Sequence, residues 1–248
     1  MSDFCIVFTA RSGSYYLLEY MCRTFDLVEG NNWFGRNIQS NLEQQFKLNH
    51  EKLDIDYSVN EDLLSDLDIK NRLKHLENFP FPFCIKATPR EFTNTIESNN
   101  FSIKKKIQAA RKILDNFDLI WFVNENKISH FCYELTCSRR GRAYSTYIPE
   151  LRITPPANSF TASKKDFDKF VKREEFINSV MWGYNIPIVT HDNFVKDQDS
   201  ELKRIAEFYG IKGNFLEENK KPVILNPDYT KIFTNYREIE KWFTQYQK

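Results

Sequence analysis

The segment spanning residues 4–16 constrains the fold of this chain more than any other part of the sequence. Residues 4–9 are largely apolar and predict a buried β-strand. The residues after it are small or polar and predict a tight turn: Arg11, Ser12, Gly13 and Ser14. The apolar sequence that follows predicts a helix over residues 14–25. Because the N-terminus of a helix carries unpaired N–H groups and partial positive charge, this order of elements predicts a phosphate-binding turn.

The turn contains the residue types that an anion site needs. Gly13 can adopt backbone angles that bring N–H groups close to an anion. Ser12 and Ser14 add hydroxyl donors, and Arg11 adds a permanent positive charge. The turn is not a Walker A loop, which requires two glycines separated by four residues and then Lys and Ser or Thr. The alternative is an ordinary strand–turn–helix unit with a capping serine.

Strands and helices alternate along the rest of the sequence. Apolar runs predict further strands at 83–87, 118–123 and 186–190. Helical patterns occur at 38–77, 102–115, 126–138, 164–183, 200–209 and 235–247, and a Gly- and Asn-rich loop is expected at 26–36. This alternation predicts an α/β fold, a P-loop-like arrangement of three layers with a central parallel sheet flanked by helices. We expect a single domain over 1–248, with a substrate or lid segment at 139–163.

Charge and cysteine content exclude several classes of function. The 35 basic and 34 acidic residues give a net charge of +1, which disfavours nucleic acid and anionic membranes as partners. The five cysteines lie mostly in apolar runs and form no Cys-x-x-Cys pair, which indicates buried thiols rather than a zinc site or disulfides. No apolar segment is long enough to span a membrane, and the chain starts directly on its first strand. We therefore expect a cytoplasmic protein without a metal site.

The strand, the Arg-Ser-Gly-Ser turn and the aromatic helix start resemble the 5′-phosphosulfate loop of sulfotransferases that use 3′-phosphoadenosine 5′-phosphosulfate (PAPS). The form of the turn is most similar to bacterial trehalose-type and carbohydrate sulfotransferases. Further segments resemble the family in the order that it requires: 83–86, 118–127, 182–194, 202–211 and 229–242. The resemblance covers nearly the whole chain, but its anchors are sparse.

The resemblance implies transfer of a sulfuryl group from PAPS to a hydroxyl or amine of a small-molecule, carbohydrate or lipid acceptor, without a metal. It assigns the donor's 5′-phosphate to the run Arg11, Ser12, Gly13, Ser14, Tyr15 and Tyr16. Arg11 would also neutralise the bridging oxygen, and Lys86 would supply a second positive contact. The catalytic Glu of the trehalose-type relatives corresponds to Asn32, so Glu29 is the nearest substitute for the base. Related bacterial enzymes suggest a homodimer.

The chain departs from the family where the donor's 3′-phosphate is expected to bind. The family's Arg corresponds to Asn124, and its Ser corresponds to Ser129, Cys132 or Tyr133, depending on alignment. We take Asn124 and Cys132 as the cofactor-binding candidates. Basic residues that could replace the lost Arg are Lys127, the cluster Arg139, Arg140 and Arg142, and the pair Lys220 and Lys221.

Two other functions stay open at this point. A catalytically degenerate sulfotransferase-like protein that only binds a nucleotide or glycan would explain Asn32 and Asn124. A P-loop kinase is disfavoured because the Lys-Ser/Thr pair and an acidic magnesium ligand after a strand are missing. The histidines are expected to be structural or exposed rather than catalytic: His50, His75, His130 and His191.

Overall fold

The structure is a computed structural model, and it describes residues 3–9, 13–31, 66–88, 102–140, 157–215 and 228–246. Arg11 and Ser12 of the predicted phosphate turn lie outside the described residues. So do most of the predicted 38–77 helical region and residues 141–156 of the predicted lid segment.

The described residues form five strands and a set of helices in alternation. The strands are β1 (Phe4–Phe8), β2 (Val28–Asn31), β3 (Phe83–Ala87), β4 (Asp118–Val123) and β5 (Ile188–Thr190). The helices are α1 (Ser14–Phe25), α2 (Asp66–Glu77), α3 (Ile103–Leu114), α4 (Lys127–Arg140), α5 (Lys164–Met181), α6 (His191–Lys196), α7 (Gln198–Tyr209), α8 (Tyr229–Ile232) and α9 (Tyr236–Tyr246). None of the helices described here has both the length and the apolar character needed to cross a membrane.

The strands form one parallel sheet in the order β2-β3-β1-β4-β5. β1 lies at the centre, where Phe4 is in register with Cys84 of β3 on one side and Asp118 of β4 on the other. All five residues of β1 are buried. A parallel strand that is covered on both faces reads as a continuous apolar run, which is why β1 is evident in the sequence.

Successive side chains of β1 point to opposite faces of the sheet. Cys5 and Val7 pack with residues of α2, α3 and the end of α5. Phe4, Ile6 and Phe8 pack on the other face with residues of α1, α6 and α7. Helices therefore cover both faces of the parallel sheet, and the predicted three-layer α/β fold is confirmed.

The predicted loop at 26–36 is wrong in part, because it contains strand β2. The strand pairs Val28 with Phe83 and Glu29 with Cys84, and its register shifts before Asn31. Only one of its four residues is a typical strand former, so the pattern gave little indication of a strand. The predicted strand at 186–190 is shorter at its start, and the six-residue helix α6 was not predicted.

The chain divides into two compact units, Met1–Val123 with Phe176–Asn219, and Asn124–Glu175 with Lys220–Lys248. The first unit contains the sheet. The second has its own core, in which aromatic side chains of α4, α5 and α9 pack together: Phe131, Phe167, Phe170 and Phe243. The single domain over 1–248 and the lid at 139–163 stay predictions, although Arg139 and Arg140 are the last residues of α4 rather than irregular chain.

The cysteines follow the sequence prediction of buried thiols. Four of them are buried, namely Cys5, Cys84, Cys132 and Cys137, and Cys22 is half-buried.

We expect Ile6→Ala to unfold the sheet-containing unit much more easily than Ile188→Ala. Ile6 is 0% exposed in the central strand, whereas Ile188 is 48% exposed in the edge strand β5. Truncating the buried side chain leaves a cavity and should cost about 2–5 kcal/mol, while the exposed site should cost about 1 kcal/mol or less. Denaturant unfolding of both variants measures the difference, and equal losses would contradict the central position of β1.

Candidate active site

The turn after β1 carries a glycine in a left-handed conformation. Gly13 is the N-cap of α1 with φ 90° and ψ 9°, a region that favours glycine. Other helices close their N-termini with a side-chain acceptor, as Ser102 does for α3, Thr190 for α6 and Asp197 for α7. Gly13 has no side chain to do this, and the first turn of α1 carries no acidic residue. Within the described residues, the positive end of this helix therefore has no side-chain cap and no carboxylate in its first turn, as an anion site requires.

The neighbouring residues of the predicted phosphate run differ in exposure. Ser14 is buried, whereas Tyr15 and Tyr16 are half-buried and pack against the core on the α1 face of the sheet. The Tyr16 N–H donates to the carbonyl of Gly13 at 3.1 Å, which closes the first turn.

His191 lies against this turn, although it was expected to be structural or exposed rather than part of a site. A Cβ placed on Gly13 would lie 3.0 Å from Cδ2 and 3.3 Å from Nε2 of the imidazole. His191 starts α6 directly after β5, and its ring packs edge-on to Phe122 of β4. Its other nitrogen, Nδ1, lies 3.1 Å from Oδ1 of Asp192. Because Gly13 and His191 are 178 positions apart, only the parallel strand order brings them together.

A second cluster joins two of the predicted catalytic residues to Tyr15. The Nζ of Lys86 lies 5.0 Å from the ring centre of Tyr15 and 5.5 Å from that of Phe8. The hydroxyl of Tyr15 hydrogen-bonds the carboxylate of Glu29. Lys86 follows Cys84 by two positions in β3, so it shares the face that α1 covers. The missed strand β2 is what brings Glu29 beside β3.

The environment of Glu29 makes it a stronger base than an exposed carboxylate. Burial raises the pKa of Glu29 above its ordinary value of 4.5, while the Tyr15 hydrogen bond and the Lys86 charge lower it. Burial also raises the pKa of Tyr15, and the Glu29 charge raises it further. Tyr15 therefore stays protonated and donates to Glu29. A half-buried carboxylate with a raised pKa, next to an ammonium group, is suited to accept a proton from a bound hydroxyl.

The candidates for the 3′-phosphate lie in the other compact unit. Asn124 is half-buried, and its Oδ1 is buried with no hydrogen-bond partner in the described part of the chain. Cys132 is fully buried in an apolar core, and burial raises its pKa to about 12. This environment does not suit a phosphate contact, whereas the alternatives Ser129 and Tyr133 are half-buried.

Lys127 is engaged in an ion pair and is a poor replacement for the family's Arg. Its Nζ lies 2.5 Å from Oε2 of Glu174, whose side chain is 7% exposed. Releasing Lys127 to a ligand would leave that carboxylate buried without its partner, which is costly. The other candidate replacements Arg142, Lys220 and Lys221 lie outside the described residues.

Within the ranges that are described, no group of three or more His, Cys, Asp or Glu residues could hold a metal ion.

We expect Glu29→Gln to flatten the pH dependence of stability. Because the pKa of Glu29 is raised on folding, its favourable contribution is present below the ordinary value of 4.5 and is lost as pH rises through the folded value. The melting temperature of the Gln variant should therefore increase relative to wild type as pH rises from 4.5 to about 7. The exposed Glu207→Gln is the matched control, and identical pH profiles for wild type and both variants would contradict the burial of Glu29.

Comparisons with known proteins find similarity in structure but no match in sequence. No family model matches the sequence, and no curated protein matches it. A sulfotransferase from Alicyclobacillus acidocaldarius superposes with a TM-score of 0.50 at 10% identity, over 98% of this chain and 91% of that one. The mouse sulfotransferase SULT7A1, solved in complex with PAP, superposes with a TM-score of 0.49 at 15% identity, over 98% of this chain and 84% of that one. At such low identity the likeness to the bacterial enzyme speaks for the fold, and together with the parallel sheet it shows that this chain has the P-loop-like α/β fold of sulfotransferases.

Proposed function

We propose that this protein is a sulfotransferase that moves a sulfuryl group from PAPS to a hydroxyl or amine of a small-molecule, carbohydrate or lipid acceptor. The observation that carries the proposal is the left-handed Gly13 at the start of α1, in the Arg-Ser-Gly-Ser sequence that follows the carboxyl end of the central strand. In open parallel sheets this is the edge at which ligands bind. The sulfotransferase fold supports the same conclusion.

The residues of the Arg-Ser-Gly-Ser motif and of the Glu29 cluster can be assigned to the steps of sulfuryl transfer. The acceptor oxygen forms a bond to sulfur while the bond from sulfur to the bridging phosphate oxygen breaks. The acceptor proton passes to Glu29, whose burial makes it more basic. Adenosine 3′,5′-bisphosphate leaves with the bonding electrons, and Arg11 neutralises the charge that develops on the leaving oxygen.

Lys86 and Tyr15 act beside Glu29. Lys86 would contact the oxygens of the sulfuryl group during transfer, from its position over the ring of Tyr15. Tyr15 orients the Glu29 carboxylate through its hydroxyl. For the donor's 3′-phosphate, Asn124 stays our candidate, and burial leads us to prefer Ser129 over Cys132.

A degenerate protein that binds a nucleotide without turnover is the second candidate. The absence of the family's Glu at Asn32 and of its Arg at Asn124 favours it. The cluster of Glu29, Tyr15 and Lys86 supplies a base at another position and favours the enzyme.

Homodimer formation and a cytoplasmic location stay predictions. Homodimer formation can be tested by light scattering.

Arg11→Ala should lower transfer from labelled PAPS about 100-fold or more, because it removes the charge that neutralises the leaving oxygen. The matched control is Arg23→Ala, since Arg23 lies on α1, has a 64% exposed side chain and pairs with Glu19. Initial rates are measured with a panel of sugar, phenol and amine acceptors. Turnover by Arg11→Ala at the level of the control would count heavily against the proposal.

Glu29→Gln separates the enzyme from the degenerate binder. The variant should still bind adenosine 3′,5′-bisphosphate in calorimetric titration, because the amide keeps the shape and a hydrogen-bonding oxygen for Tyr15. Its transfer rate should fall about 100-fold or more, because an amide cannot accept the proton. If wild type binds the bisphosphate but transfers to none of the acceptors, the degenerate binder is the better description.

A further inference from the structure

We infer that His191 is a further binding residue of the proposed donor site, with its Nε2 directed to the anion held at the turn after β1. The inference rests on the proposed function, because it assigns a ligand to that same turn. It adds a residue that is 178 positions from Gly13 in the sequence and lies outside the phosphate motif.

Three neighbouring strands bring this imidazole to the turn. Gly13 follows β1, Phe122 lies near the end of β4, and His191 follows β5 directly. The edge of the ring that carries Cδ2 and Nε2 faces Gly13, at 3.0 Å and 3.3 Å from where a Cβ would be. A side chain at position 13 would therefore press closely on the ring and would be strained by the positive φ, so the glycine gives the imidazole room beside the turn.

The other nitrogen of the ring defines its orientation. Nδ1 lies 3.1 Å from Oδ1 of Asp192, and Phe122 packs edge-on at 6.3 Å between ring centres. When Nδ1–H donates to Asp192, a proton on Nε2 makes the ring a cation with its second N–H at the turn. The His191 side chain is 20% exposed, so the ring is held by its neighbours and still accessible to a ligand.

The His191 imidazole adds a hydrogen-bond donor beside the N-terminal amides of α1. Gly13 brings no side-chain acceptor, and the first turn of α1 has no carboxylate to compete with a ligand. An imidazole beside these amides adds a hydrogen bond to a phosphate oxygen. Because the phosphate is ionised, this hydrogen bond is stronger than one between neutral groups. The ligand group is the 5′-phosphate of an adenosine nucleotide, since this is the group that the proposed function places at the turn.

Calorimetric titrations with adenosine 3′,5′-bisphosphate, adenosine 5′-phosphate and adenosine 3′-phosphate test the inference. His191→Leu keeps an apolar side chain against Phe122 and removes both nitrogens. Its affinity for the two 5′-phosphorylated probes should fall about tenfold or more, the loss expected for a hydrogen bond to a charged group. Binding of adenosine 3′-phosphate should change little.

Two controls separate a ligand contact from a structural role. In His191→Gln the amide nitrogen can reach the region of Nε2, so this variant should recover part of the lost affinity. His75→Gln, on α2, should bind like wild type. In addition, the imidazole 15N signals of His191 should shift on addition of the bisphosphate while those of His75 stay unchanged, and thermal unfolding confirms that each variant is folded.

The outcomes distinguish this inference from the proposed function. If wild type binds the bisphosphate, Arg11→Ala weakens that binding and folded His191→Leu does not, the inference is overturned and the proposed function stands. If wild type binds none of the three nucleotides, the proposed function fails and the inference fails with it. Equal losses in His191→Leu and His191→Gln, with no shift of the His191 15N signals, would assign the ring a packing role only.

Discussion

The central strand β1 is the constraint on which the described sheet depends. It is buried on both faces and pairs in parallel with β3 on one edge and β4 on the other. A chain that leaves such a strand must emerge at the carboxyl edge of the sheet and turn over it into the next helix. Gly13, with its positive φ, makes that turn possible without strain. The position of the proposed anion site is therefore a consequence of how β1 is buried.

The sheet carries different chemistry on the two sides of β1. Toward β3 and β2, Glu29 and Lys86 lie with Tyr15 of α1 and combine a basic carboxylate with a cation. Toward β4 and β5, His191 lies against Gly13. One side can receive a proton, and the other can donate hydrogen bonds to an anion. Sulfuryl transfer requires both functions close together, because the nucleophile loses a proton while the leaving nucleotide gains charge.

The sequence predicts the elements that have a clear apolar run or periodic pattern and misses the short ones that have neither. β1, β3 and β4 are evident as apolar runs. β2 is an edge strand with the sequence Val-Glu-Gly-Asn, and α6 has a single buried residue, Phe194, so neither has a periodic pattern to detect. The phosphate turn can be predicted because its residues are consecutive. The contact between Gly13 and His191 cannot, because it depends on the strand order and joins distant positions.

The environment of Glu29 bears on whether the protein catalyses or only binds. A carboxylate whose pKa is raised by burial lowers the stability of the folded protein at neutral pH, because the folded state holds the proton more tightly than the unfolded state. The Tyr15 hydrogen bond and the Lys86 charge offset this cost only in part, since the pKa remains raised. Nucleotide binding alone does not require a basic carboxylate beside an ammonium group. A proton-accepting step benefits from one, so the environment of Glu29 supports the proposed enzyme over the degenerate binder.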